Sequence, residues 1–454
     1  MDNAFQAFRN WWASSSFLRV IIVGFVVLVL QIPISMIDDQ ISQRQWTQQQ
    51  VVAEVTSKWG GDQTIQGPRL VIPYYELSAW TNKEGEVKQS RKLRYASFLP
   101  KTMQVKALVE NESRYRGLFE VPLFQSKISF RGLFEQPNFQ RWGIESDLVL
   151  WDKAELLLGV SGASGIQQQI YLQWNNHRLE FEPGLGDSNS NAPGFYVRLG
   201  DVKGSAYEYS IELALNGSQR LDFAPMGKES TIVMSSNWSD PSFQGFKLPT
   251  RRDITATGFT AEWHISSISR SYPQQWLDHE FDFNKLNQSQ VGVNFISTVD
   301  NYRMTDRSTK YALLFILFSF GIIWIIEIVA RIRVHHVQYL FVGLGVCMFY
   351  LLLLALSEHL GFLQAYFVAS VAVLFMITAY TRSVLKSNKR AGIVGVISMI
   401  LYIYLYMLLQ EQNYSLLFGS IGVFVALSVT MYLTRNIDWH AAGNLKELPK
   451  PEQL

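Results

Sequence analysis

Three stretches of this 454-residue chain hold side chains whose type and spacing suggest chemistry. Glu327 is the carboxylate within the apolar part of the C-terminal third. A charge near mid-bilayer costs roughly 2.5–3.5 kcal/mol on insertion scales, so an acid there invites a proton or ion relay. Arg331 follows four residues on, the favourable helical spacing for an ion pair. Both lie near one end of their run, and a snorkelling Glu327–Arg331 pair is the bland reading that this placement favours. Hydrogen bonding between helices is the third. Arg114 and Arg116 are two apart, so on a strand they share a face and form a candidate anion-binding pair. Glu112 and Glu120 offer them ordinary partners. Glu358 and His359 are adjacent in a polar joint and suggest titration or metal binding. Adjacent side chains cannot face one ion from a regular helix, and His335 and His336 are expected at the other membrane surface. Capping and headgroup contact are therefore favoured for Glu358 and His359.

Nucleophile and phosphate motifs are missing: the sequence has no Gly-x-Ser-x-Gly, no His-Glu-x-x-His and no P-loop. The single cysteine, Cys347, lies inside an apolar run, where a thiol acts as a small apolar group. It permits no intrachain disulfide and no cysteine-based metal cluster. No catalytic residue, cofactor or metal ligand set is expected. The formal net charge of +2 excludes a strongly basic nucleic-acid binder.

These residues must be held by elements of two kinds. The C-terminal third holds apolar runs at 311–330, 337–355, 362–380, 392–409 and 414–433. Each matches a hydrocarbon core of ~30 Å at ~1.5 Å rise per residue, and backbone groups in lipid must be satisfied within a helix. Arg331, Arg333, Arg382, Lys386, Lys389, Arg390 and Arg435 fall in alternate joints, while the other two carry Glu358 and Glu411. By the positive-inside rule residue 310 approaches from outside and the tail, 435–454, is cytoplasmic. Tyr402, Tyr404 and Tyr406, with several glycines, favour a packed bundle over a water-filled pore.

Residues 1–16 are expected to form a cytoplasmic segment in which Phe5, Phe8 and Trp12 suit either an interfacial helix or a frayed tail with a tryptophan anchor. The run at 17–37 is flanked by Arg9 and Arg19 before and Asp38 and Asp39 after, which reads as an uncleaved signal anchor. Pro33 is expected to bend or end it. Residues 38–310 open with a glutamine-rich helical stem. Alternating strands follow near 69–77, 104–109, 125–130, 169–174, 195–199, 207–215, 231–235 and 258–267. Turns are expected at Asn216–Gly217, 184–186 and 225–227. The fold class is thus a membrane α-helical bundle plus β: one signal-anchor helix, a large periplasmic antiparallel β-sandwich, jelly-roll-like, and five C-terminal transmembrane helices at 311–434. One large sandwich and two small ones fit equally. The string RGLFE occurs at 116–120 and again at 131–135, which suggests two strands with similar ends. Of the tryptophans in this region, one or two are candidates for stacking on sugars or lipid, and core filling accounts for the others.

The strings RYASFLPKTMQV (94–105), RYRGLFEVPLF (114–124), GFTAEW (258–263), RSYPQQW (270–276), STVDNYRMTDRSTKYALLFILF (297–318), HHVQYLFVGLGVCMFYLLLLALSEH (335–359) and LYMLLQEQNYSLLFGS (405–420) together resemble the CreD family of Gram-negative inner-membrane proteins. The resemblance runs from about residue 20 to about 440. His336 stands where the family pattern has proline, so the join into that run is less rigid here. The resemblance implies a role in cell-envelope integrity, colicin tolerance and envelope-stress and β-lactam responses under a two-component regulator. It implies no enzymatic activity and no cofactor. The expected partners are membrane lipid and an envelope protein or glycan, with no nucleic acid. A transporter with Glu327 in its path, or a lipid or glycan enzyme, is the alternative.

Overall fold

The computed structural model describes residues 16–81, 87–186, 193–204, 206–295, 301–330, 332–411 and 414–435. The expected interfacial helix around Phe5, Phe8 and Trp12, Arg331, and nearly all of the expected C-terminal tail lie outside them. The chain forms two compact units, Met1–Thr47 with Val299–Leu454, and Gln48–Thr298.

The described helices are α1 (Ser16–Trp59), α2 (Asn284–Gln288), α3 (Asn301–Thr309), α4 (Ala312–Ala330), α5 (His336–Leu360), α6 (Phe362–Leu385), α7 (Asn388–Gln410) and α8 (Ser415–Thr434). Five of them, α1 and α4 to α7, are long and apolar enough to cross a membrane. The apolar α8 takes the place of the last expected run. α1 continues through Pro33 into the glutamine-rich stem without a break. Proline removes one hydrogen bond, to the carbonyl four residues back, but the turns on either side remain bonded. Of the two outcomes expected at Pro33, a bend or an end, the end is thus corrected.

In the helical unit, α1 buries Val27, Leu30, Ile37 and Ile41. Leu30 packs onto Gly343 of α5, where an added Cβ would stand 2.2 Å from its Cδ1. Aromatic rings hold the middle of the bundle: Phe349 of α5 lies 4.7 Å from Tyr402 and 5.3 Å from Tyr366 between ring centroids. The opposite faces are bare, with Phe367, Phe375 and Phe424 mostly exposed, as lipid contact requires.

The second unit is a sandwich of two sheets. One runs, strand beside strand, Ser242–Gly245, Val291–Asn294, Arg220–Ala224, Gln63–Thr81, Ala154–Val160, Gly194–Gly200, Glu182–Pro183, with Val87–Phe98 paired to the far half of Gln63–Thr81 and Gln275–Leu277 paired to Val87–Phe98. The other runs Arg251–Thr255, Gly258–Ser266, Glu229–Ser236, Thr102–Arg116, Phe119–Glu135, Ala206–Ser218, Tyr171–Trp174, His177–Glu180. Alternate residues face inward; Glu229–Ser236 and the first part of Thr102–Arg116, as far as Val109, bury every second side chain. Both sheets contribute to a single core, in which Phe130 meets Phe223 at 6.2 Å and Phe124 meets Phe295 at 5.4 Å. The unit is therefore one large sandwich. Two pairings are parallel rather than antiparallel: Gln63–Gln66 with Leu221–Ala224, and Thr102–Val109 with Glu229–Ser236. Parallel neighbours need long crossovers, and strands of the intervening sequence supply them here.

Two local expectations change. Asn216–Gly217 is not a turn but lies inside a strand, paired with Gln125 and Phe124. The glycine is needed there for space, since a Cβ would stand 2.3 Å from the Phe124 ring. The chain bends instead at Gln219, in the left-handed conformation with φ 54°, where it leaves one sheet for the other. The two RGLFE copies also differ in structure. The first spans a hairpin turn around Gly117, whereas the second is continuous strand.

Candidate functional site

Glu327, in the last turn of α4, is buried. Its carboxylate accepts from the Tyr339 hydroxyl at 2.9 Å and from the Val334 backbone N–H at 3.2 Å. It thereby ties α4 to the start of α5 and satisfies a backbone group in the joint between them. α5 starts with a reciprocal cap: His335 accepts from Val337 N–H while Gln338 accepts from His335 N–H. At the other end of α5, Glu358 accepts from the Tyr302 hydroxyl at 3.0 Å and lies 3.4 Å from Arg44 of α1. His359 beside it is exposed. Among the described residues no three His, Cys, Asp or Glu side chains are grouped to hold a metal.

The same end of the helical unit is crossed by α3. Asn301 donates to the Ser357 carbonyl at 3.3 Å, Thr309 to Asp38 at 3.2 Å, and Arg307 to the carbonyls of Leu408 and Glu411 at 3.3 and 3.2 Å. A nine-residue helix is too short to persist alone, so these bonds and the burial of Tyr302, Thr305 and Ser308 hold it.

Arg114 and Arg116 do not converge on one point. Arg114 pairs with Glu112 at 2.8 Å and lies over the Trp59 ring at 4.0 Å, while Arg116 pairs with Glu54 at 2.9 Å. Glu112 is one of the partners expected; Glu54, rather than Glu120, is the second. Both arginines serve to seat the end of α1 on the hairpin 102–135. Of the tryptophans, Trp151, Trp174, Trp263 and Trp276 are buried, and Trp46 of α1 is the exposed one among those described.

Unpaired cations lie elsewhere on the eight-stranded sheet, on its outer face. Register sets them out in rungs across four strands. Val233, Lys106, Ser129 and Glu212 form one rung, and Ser235, Leu108, Lys127 and Ala214 the next. The rung before holds Thr231, Gln104, Arg131 and Ser210. These two rungs from Lys106 to Ala214 line an open depression of about 490 Å³, with Gln168 at its side. Arg131, Lys106 and Lys127 are exposed and zigzag between the two central strands. The ion pairs of this sheet engage Lys101, Arg114, Arg116 and, when protonated, His264, and none reaches these three among the described residues. Sequence reasoning missed this group. The available signal was the strict alternation of Gln104, Lys106 and Leu108 with buried neighbours, set against the second RGLFE copy, which begins at Arg131.

The interior of the domain holds charge as well. Arg69 donates to Ser97 at 2.8 Å and lies 3.5 Å from Asp278, to which Ser97 also donates. Burial pushes the Asp278 carboxyl above its usual range, with Arg69 pulling it back. The cluster clips 275–280 to two strands. Its neighbour His279 lies 3.7 Å from Glu280.

Comparison with known proteins follows the same division. An M1 zinc metallopeptidase from Deinococcus radiodurans is matched at a TM-score of 0.22 and 10% identity, over 43% of this chain and 42% of that one. A substrate-bound mutant of it is matched at 0.17. Likeness this low bears on neither fold nor chemistry. Inner membrane protein CreD of Escherichia coli (strain K12) is 31% identical over 418 residues, 91% of this chain and 92% of that protein. The family model described as inner membrane protein CreD matches residues 15–440, and the chain belongs to that family.

Proposed function

We propose that this protein supports the cell envelope as a membrane-anchored binding protein, acting by capture of a partner rather than by catalysis. Its helical unit holds it in the inner membrane, and its sandwich faces the periplasm. The partner is a component of the envelope, met on the outer face of the eight-stranded sheet. Tolerance of envelope stress and of colicin is the physiological expression of this role. The observation that carries the reading is the open depression of about 490 Å³ on that face, lined by aliphatic, hydroxyl and unpaired charged side chains. A sheet face left uncovered with such a lining suits recognition.

The test is a photoreactive side chain placed at Leu108 or Val233 in cells. Capture of one discrete envelope component, lost when the probe moves to the buried face at Val105, is the expected result. No product from either position, with the protein inserted at normal level, overturns the reading.

A further inference from the structure

We propose that the outer face of the eight-stranded sheet binds an extended acidic peptide segment of a partner protein, along the cations Arg131, Lys106 and Lys127. The inference rests on the binding role above and names its ligand class. Lys106 stands opposite Ser129, and Arg131 and Lys127 are the residues two places to either side of Ser129 on the neighbouring strand. Each cation is thus the diagonal neighbour of the next, at about 7–8 Å. An extended peptide repeats its side chains on one face every two residues, at about 6.6–6.8 Å. Acidic side chains at alternate positions of a bound segment therefore meet the cations one for one.

The surroundings fit the same occupant. Leu108, half exposed, and Val233 and Ala214 lie beside the lysines and offer apolar contact to a peptide backbone. Glu212, opposite Ser129 on the next strand, is the diagonal neighbour of Arg131 and Lys127, and Glu110 is that of Lys127, so acids flank the strip closely on both sides. They set its width and disfavour a broad anionic surface. Among the described residues no aromatic ring lines the depression, and sugar rings are ordinarily held by stacking on one.

The experiment uses the detergent-solubilised full chain and a fluorescent peptide of about twelve residues alternating Glu with Thr. Anisotropy should report binding that weakens as salt rises. Joint Lys106→Glu, Lys127→Glu and Arg131→Glu should weaken it about tenfold or more, a loss of at least about 1.4 kcal/mol. Lys106→Gln, Lys127→Gln and Arg131→Gln together should weaken it less and guard against misfolding. Lys101→Glu, at an exposed lysine paired with Glu135, should leave it unchanged. No binding by the unaltered chain, or equal binding by the reversed one, overturns the inference. So does stronger binding of polygalacturonate or of anionic vesicles than of the peptide. A partner captured in cells that has no acidic segment sinks this inference and leaves the binding role standing. Peptide binding in solution with no capture in cells does the opposite.

Discussion

Asp222 carries a carboxyl that burial pushes up to about 6, against the pull of Arg220 and with Asp62 adding to the rise. It is 1% exposed, on a strand of the nine-stranded sheet. A carboxyl raised above its unfolded value of 3.8 stabilises the fold fully below that pH and loses this contribution as pH climbs toward 6. The sandwich should therefore gain stability on acidification from neutral pH to about 5. Asp222→Asn should remove that gain and raise stability at pH 7 by up to about 3 kcal/mol. Thermal melts of both proteins across this range check it, and parallel pH profiles would refute the assignment. Glu327 belongs to the same scale with a different outcome. Glu327→Gln keeps an oxygen to accept from Val334 N–H and an amide that donates to the Tyr339 hydroxyl oxygen, so it should melt close to the parent, whereas Glu327→Leu offers neither and should cost about 1–3 kcal/mol. If Glu327→Gln alone abolishes function in a protein that still accumulates, the relay reading regains its ground.

α3 gathers the ends of several helices through a few polar side chains, and Arg307 contributes most because it reaches two carbonyls at the end of α7. A cation at a helix C-terminus also meets the negative end of its dipole. Arg307→Ala should open α3 locally by about 1–2 kcal/mol, so hydrogen exchange across 301–309 quickens roughly 5–30-fold while the sandwich strands stay protected. Uniform quickening everywhere would show that α3 is not a separate latch. The sequence made the long elements plain and this one obscure. Runs of apolar residues declare α4 to α8, and alternation declares strands such as Thr102–Arg116 and Ala206–Ser218. α3 has neither pattern at sufficient length, so its partners appear only in three dimensions. The same holds for Arg220–Ala224 and Val291–Asn294, whose four or five residues are set by their neighbours in the sheet. Among candidate site residues, the Arg114–Glu112 pair was legible because its partners are two apart. Glu54 was not, since it reaches Arg116 from 62 residues away.

At the scale of the whole chain, orientation follows from the helical unit and the way the second unit is inserted into it. Gly361 alone separates α5 from α6, and Lys386 and Ser387 alone separate α6 from α7. Joints this short turn successive helices back on each other, so consecutive joints must lie at opposite ends. Arg44 and Asn301 both bond to the end of α5 at Ser357 and Glu358, and Arg307 to the joint after α7. The chain therefore leaves for residues 48–298, and returns from them, at the end that carries Glu358 and Glu411. Lys386, Lys389 and Arg390 lie at the other end, which the positive-inside rule assigns to the cytoplasm. The sandwich is predicted outside, and single cysteines can decide it. Cys347 is buried and is first replaced by serine. Leu118→Cys, on an exposed hairpin turn of the sandwich, should then react with a membrane-impermeant maleimide added to spheroplasts. Ser387→Cys should react only after the membrane is opened. The reverse pattern would put the cation-bearing sheet face in the cytoplasm, and the envelope role would lose its partner along with its place.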